Sequence, residues 1–215
     1  PPQSQRILAE VAYTPGTRFL FDLQGVQVLA LAISPDETFA AGGVGNAIIV
    51  WDTETGDELF RLSGTSQTGH TNRVRSIAFS PDGTRIVSGG ADGRIVIWDI
   101  ATQTQFARWD SHTGGLNTIA FSPIKGQLLV SGGEDRLIKL WNPLTGELIQ
   151  SFTGHNGAVN SIAFNNDDTL FASGSDDDRV GVWSVADGFI KFLVGHTDDV
   201  LTLDFSPTSA SRLLS

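Results

Sequence analysis

A segment of about 42 residues recurs along this chain, and this recurrence constrains the fold more than any single motif does. The four histidines, at positions 70, 112, 155 and 196, are separated by 42, 43 and 41 residues. Four of the five tryptophans, at positions 51, 98, 141 and 183, are separated by 47, 43 and 42 residues. Two residue types that keep one period over four copies indicate a repeat array, in which each unit buries its apolar face against its neighbours. We therefore expect residues 1–215 to form one domain.

The copy that begins at Gly69 shows how a unit is built. Residues 74–79 alternate between two faces and are followed by Ser80-Pro81-Asp82-Gly83, a pattern typical of a strand that enters a tight turn. Further short strands are predicted over residues 85–88, 95–98 and 105–109. Four short strands per copy, with no helical periodicity, predict an all-β fold. Each copy should form a four-stranded antiparallel blade, and the blades should pack around a central axis as a β-propeller.

Composition and charge exclude several classes of protein. The net charge of −10 argues against non-specific binding to nucleic acid, which needs clustered Lys and Arg. No stretch approaches 18 apolar residues, so no membrane span is predicted. The Gly-Gly pairs precede strands rather than helices, so no phosphate-cradling loop and no cofactor are expected. The absence of cysteine leaves the redox compartment open, and we slightly favour the cytoplasm.

Two dipeptides recur in register with the period. Gly-His begins at Gly69, Gly154 and Gly195, and Trp-Asp begins at Trp51 and Trp98. In this the chain resembles the WD-repeat β-propeller family over nearly its whole length. Some copies depart from the dipeptides, with Ser111 before His112, Asn142 after Trp141 and Ser184 after Trp183. These departures affect the dipeptides but not the spacing.

The resemblance implies a buried hydrogen-bond network in each copy. It would join a loop His, a Ser on the second strand, an Asp before the third strand and the Trp on that strand. By position the sets are His70, Ser88, Asp92 and Trp98; His112, Ser131, Asp135 and Trp141; and His155, Ser173, Asp177 and Trp183. Ser, His and Asp together also suggest a hydrolase triad. An active site is normally built once, whereas this set recurs three times, so we expect a structural role, no catalytic residue and no enzymatic activity.

Three other features have a structural and a functional interpretation. Residues 176–178 are three aspartates, and residues 165–168 are also acidic and amide-rich. Either run could hold a cation, but neither has the spacing of a known calcium loop, so we expect solvated turns and no metal. Trp109 falls outside the period. We expect it to pack under the adjacent loop rather than to form an exposed contact surface.

The first full copy departs from the network. Alignment on the turn at Ser34 puts Gln24 at the His position. Alignment on Trp51 puts Ala41 and Gly45 at the Ser and Asp positions. We predict a less rigid blade there, with faster hydrogen exchange than its neighbours.

The two ends of the sequence predict partial blades. Val11 takes the Trp position and residues 18–23 form a fourth strand, while residues 200–205 and 212–215 form a first and a second strand. Together these strands could complete a fifth blade and close the ring. Alternatively the chain is part of a longer ring, since proteins that it resembles most often have seven blades. We favour the second interpretation.

With no catalytic constellation, the best functional hypothesis is a scaffold for protein–protein interaction. The resemblance implies that loop positions on one face of the ring contact the partner. These are Arg73, Arg75, Gly115, Asn117, Ala158, Asn160, Asp199 and Leu201 near the first strands, and Ala91, Glu134 and Asp176 before the turn Asp. Two alternatives remain open: a sensor or regulatory portion of a larger multidomain enzyme or signalling protein, and a structural subunit of a large assembly.

Overall fold

The structure is a computed structural model that describes residues 27–65, 67–124, 126–206 and 212–215. All 18 regular elements in these residues are β-strands. They form four four-stranded antiparallel sheets and one two-stranded sheet, each with its strands in chain order. The all-β prediction and the four complete blades are therefore confirmed. Nowhere in the described residues is there a helix long and apolar enough to cross a bilayer.

The strands divide evenly among the blades. Blade 1 contains β1 (Val28–Ile33), β2 (Phe39–Val44), β3 (Ala47–Asp52) and β4 (Glu58–Leu62). Blade 2 contains β5 (Val74–Phe79), β6 (Arg85–Gly90), β7 (Arg94–Asp99) and β8 (Thr104–Asp110). Blade 3 contains β9 (Leu116–Phe121), β10 (Leu129–Gly133), β11 (Ile138–Trp141) and β12 (Leu148–Phe152). Blade 4 contains β13 (Val159–Phe164), β14 (Leu170–Ser175), β15 (Arg179–Ser184) and β16 (Gly188–Val194). A half-blade contains β17 (Asp204–Phe205) and β18 (Leu213–Leu214).

Local sequence explains the strand boundaries of blade 2. β5 begins and ends where the alternation predicts, and β6, β7 and β8 each extend one or two residues beyond the predicted ends. Between β5 and β6, the N–H of Gly83 donates to the carbonyl of Ser80 at 2.8 Å. Gly83 has φ +69°, a conformation that suits glycine because it has no Cβ. The predicted tight turn therefore forms at this position.

Adjacent blades pack closely because the second strand of each blade carries a glycine opposite the next blade. A Cβ added to Gly132 would lie 2.5 Å from Cγ1 of Val159, so no larger residue fits at position 132. The same contact recurs at every described seam, between Gly43 and Val74, Gly89 and Leu116, Gly132 and Val159, and Gly174 and Val200. Each blade thus buries the first residue of its neighbour's inner strand, or Val200 at the last seam.

A hydroxyl group also links the inner strands of neighbouring blades. The main-chain N–H of Ile119 donates to Oγ of Ser76 at 3.1 Å. The equivalent bonds join Ile162 to Thr118 and Leu203 to Ser161, each at 3.1 Å. In blade 1 the same register position, opposite the second-strand glycine, is occupied by Ala30. The seam between blades 1 and 2 therefore has no side-chain hydroxyl at this point.

The partial blades could be compared with prediction at one end only. The predicted N-terminal half-blade, with Val11 and residues 18–23, lies outside the described residues. At the other end β17 and β18 pair as predicted, although the first strand is shorter than residues 200–205 because only Asp204 and Phe205 join the ladder. The number of blades in the ring stays a prediction.

The outward face of β1 is open. Leu31 and Ile33 are 46% and 38% exposed. Their equivalents in blade 2, Ile77 and Phe79, are only 7% and 8% exposed because blade 1 covers them.

Candidate functional site: the blade network and the loop face

The structure brings together the four predicted network residues in blades 2, 3 and 4. In blade 3, His112 Nδ1 donates to Asp135 at 2.7 Å, and Ser131 Oγ donates to His112 Nε2 at 2.8 Å. Trp141 Nε1 donates to the same Ser131 Oγ at 2.8 Å. Blades 2 and 4 repeat these contacts at distances between 2.7 and 3.0 Å. The network spans each blade from its entry loop to its third strand.

Charge and burial are balanced within each network. Burial lowers the pKa of His112 and of His155, and the nearby Asp only partly opposes this effect. Burial disfavours ionisation of Asp92, but hydrogen bonds from His70 and from the Thr71 main chain outweigh it and lower the pKa to about 2. A neutral imidazole beside an ionised carboxylate satisfies each donor and acceptor of the set.

This arrangement is unsuited to nucleophilic catalysis. Ser88, Ser131 and Ser173 are all 0% exposed, so no substrate can reach their hydroxyl oxygens. Each oxygen also accepts an indole N–H bond, which occupies a lone pair that an attacking nucleophile would need. The three sets therefore resemble a triad in composition but not in access.

The structure corrects the alignment of blade 1. Trp51 pairs with Ala40, whereas Trp98 pairs with Ile86, so the hairpin of blade 1 is one residue shorter. The Ser position is consequently Gly42 rather than Ala41. A Cβ at Gly42 would lie 2.8 Å from Cζ3 of Trp51, so the six-membered ring of this indole occupies the space that the serine fills elsewhere. Gln24, at the predicted His position, lies outside the described residues.

A partial network is present in the half-blade. Ser215 lies two residues after the strand residue that pairs with Phe205, as Ser131 lies two residues after the partner of Phe121. His196 Nε2 and Ser215 Oγ are 2.8 Å apart. The fourth histidine of the period thus meets a serine in the same way as the other three.

The predicted partner-binding positions come together on one face of the ring. In blade 2 the N–H of Ala91 donates to the carbonyl of Arg73, and in blade 4 the N–H of Asp176 donates to that of Ala158. Glu134 and Gly115 make the same bond in blade 3. We call this surface the loop face, and it contains residues 73, 75, 91, 115, 117, 134, 158, 160, 176, 199 and 201.

Several loop-face residues bind each other across the seams, which inspection of the sequence did not predict. Arg75 of blade 2 donates to Asn117 at 2.8 Å and forms an ion pair with Glu134 at 2.6 Å, both in blade 3. Asn117 in turn donates to the carbonyl of Val159 in blade 4. Asn160 repeats this with the carbonyl of Val200 and also donates to Asp176. A signal was available, since residues 75, 117 and 160 keep the period of the repeat.

Charge is unevenly distributed over the loop face. Arg73 is exposed in blade 2, while exposed aspartates crowd the edge where blade 4 meets the half-blade. There, partial desolvation and the negative charges of Asp176, Asp198 and Asp178 raise the pKa of Asp199. On the blade 3 side, hydrogen bonds from Arg75 and from the Gly115 main chain lower the pKa of Glu134. The face therefore has a basic position at one side and an acidic cluster at the other.

The features with two interpretations are resolved by their contacts. Trp109 packs against the Gly146 turn and lies 6.0 Å from Trp141 between ring centroids, so it lies against the adjacent loop as predicted. Asp177 accepts bonds from His155 and Arg179. Within the described residues, no group of three or more His, Asp or Glu side chains is placed to hold a metal ion.

A family model described as "WD domain, G-beta repeat" matches residues 18–52, 62–99, 103–142 and 146–184. Each fully described match begins in or just before the outer strand of one blade and ends at the third strand of the next. The sequence repeat is therefore out of phase with the blade.

The chain is also similar to curated proteins. It is 30% identical over 139 residues to "Target of rapamycin complex subunit wat1" of Schizosaccharomyces pombe, which covers 60% of this chain and 43% of that protein. It is 27% identical over 164 residues to "Periodic tryptophan protein 2 homolog" of Dictyostelium discoideum, covering 74% of this chain and 17% of that protein. It is 28% identical over 107 residues to "Protein HIR1" of Eremothecium gossypii, covering 45% and 13%. The chain thus spans less than half the length of each of these relatives.

Proposed function

Because the chain belongs to the WD40 repeat family, we propose that residues 1–215 form part of a propeller domain that acts as a non-enzymatic scaffold for protein–protein interaction. The observation that carries this proposal is the contrast between repeated and varied positions. The buried network is the same in blades 2 to 4, whereas the loop face presents Arg75, Asn117 and Asn160 at equivalent inner-strand positions. Equivalent sites with different chemistry give a surface that is specific for one partner at a time.

The charge of the loop face indicates the kind of protein that it binds. Asp176, Asp198 and Asp199 form an acidic edge that attracts basic side chains, while Arg73 at the opposite side attracts an acidic group. Arg75 contributes less net charge because it is paired with Glu134. We therefore propose a partner segment that is basic at the end lying over the half-blade.

Affinity purification from a native source tests this proposal. The double variant Asp176→Lys with Asp199→Lys should lose the partners that the unaltered chain recovers, and Arg73→Glu should weaken them. Lys191→Glu, an exposed charge change on the outer strand of blade 4, is the matched control and should retain them. Equal recovery by all variants, with circular dichroism showing intact folding, would exclude the loop face as the binding surface.

A second candidate is a structural subunit of a multiprotein assembly. The printed name of the Schizosaccharomyces pombe relative describes a subunit of a complex, which favours this role. Recovery of the same proteins in fixed stoichiometry through successive purification steps would support a subunit. Exchangeable partners would support a transient scaffold instead.

A further inference from the structure

The half-blade is built to the same register as the complete blades. Phe205 pairs with Leu213 and Asp204 with Leu214. In blade 3 the equivalent pairs are Phe121 with Leu129 and Ala120 with Val130. The half-blade also receives both seam contacts from blade 4, since Val200 packs against Gly174 and the N–H of Leu203 bonds to Ser161. It is therefore the first half of a fifth blade and not an unrelated hairpin.

The groups that a third strand would cover are exposed in the half-blade. Leu214 is 77% exposed, whereas Val130 at the equivalent position in blade 3 is fully buried. His196 and Ser215 hold the His–Ser bond of the network, but both are exposed. In a complete blade their equivalents are buried by the third strand, which supplies an aspartate to the imidazole and a tryptophan to the hydroxyl.

Residues 1–215 contain no tryptophan that can complete this set. All five tryptophans lie on strands of blades 1 to 4, at positions 51, 98, 109, 141 and 183. Residues 1–26 contain none. The missing indole must therefore come from a different segment of polypeptide.

We propose that the half-blade binds an extended segment of another polypeptide, which adds as a strand along β18 and carries an aspartate followed six residues later by a tryptophan. The carboxylate accepts the Nδ1–H of His196, and the indole N–H donates to Ser215 Oγ, as in blades 2 to 4. Apolar side chains of the added strand cover Leu214, and the free edge of β18 supplies main-chain hydrogen bonds. This site is separate from the loop face and does not depend on the proposed function.

A peptide with the sequence of residues 132–152 is the direct probe, because it follows Ser131 as the added strand would follow Ser215. It contains Asp135, Trp141 and both outer strands of blade 3. Fluorescence anisotropy of the labelled peptide with the intact chain should show saturable binding at one site. On binding, the indole N–H of the peptide should become protected from hydrogen exchange.

Variants of the peptide and of the protein separate this site from others. Trp141→Phe or Asp135→Asn in the peptide should each weaken binding about tenfold, because each removes a buried hydrogen-bond partner. His196→Ala in the protein should do the same, while Lys191→Ala on the outer strand of blade 4 should not. The proposal is overturned if the peptide does not bind, if both altered peptides bind as well as the original, or if His196→Ala leaves binding unchanged. The last result would indicate exchange into blade 3 instead.

Discussion

Replacing Ser131 with alanine tests whether the buried network holds a blade together. The hydroxyl is 0% exposed, donates to His112 and accepts from Trp141, each at 2.8 Å. Its loss leaves an imidazole nitrogen and an indole N–H buried without partners. Each unpaired buried group costs about 1–3 kcal/mol, so after some relaxation of the rings we expect the free energy of unfolding to fall by about 2–4 kcal/mol.

Urea unfolding and native-state hydrogen exchange together measure this effect. Repeat arrays need not unfold in one step, so exchange should localise the loss to blade 3 and its two seams. Ser151→Ala, on the exposed side of the same blade, is the matched control and should change stability by less than about 0.5 kcal/mol.

A double-mutant cycle tests the cause of the loss. Trp141→Phe removes the indole N–H, and in the Ser131→Ala background that N–H already has no partner. The substitution should therefore cost about 1 kcal/mol less there than in the unaltered protein. Two strictly additive substitutions, or a Ser131→Ala protein as stable as the control, would refute the reasoning.

Three further predictions concern pH, the first blade and the first seam. Since burial lowers the folded-state pKa of His112 and His155 below 6.5, the unfolded chain takes up protons first as pH falls. The free energy of unfolding should thus be constant above that pH and decrease below it, and histidine NMR titrations above 6.5 in the folded state would contradict this. Gly42→Ser should destabilise by about 1–3 kcal/mol in urea because its Cβ meets the ring of Trp51, and should cost less beside Trp51→Leu. Ala30→Ser should add the missing seam hydroxyl and stabilise by about 0.5–1 kcal/mol, and an unchanged urea midpoint would argue against it.

The network could be predicted from sequence because its members keep constant offsets within one copy. Ser88 and Trp98 are on adjacent strands joined by a short hairpin, so local register alone brings them together. The same reasoning gave the wrong residue in blade 1, where the hairpin is one residue shorter. A count from Trp51 passes through that turn and therefore shifts by one position, from Gly42 to Ala41.

The repeat spacing by itself determined the class of fold, the number of complete blades and the membership of each network, because strand and turn signals act over a few residues. Only the tertiary structure decided the seams. Arg75 and Glu134, or Ser76 and Ile119, are in different blades, and their contact depends on how two sheets pack. Each matched repeat also runs from the outer strand of one blade into the next, a phase that spacing does not contain. Period is a local property of the chain, whereas the position of a blade boundary depends on which apolar faces bury each other.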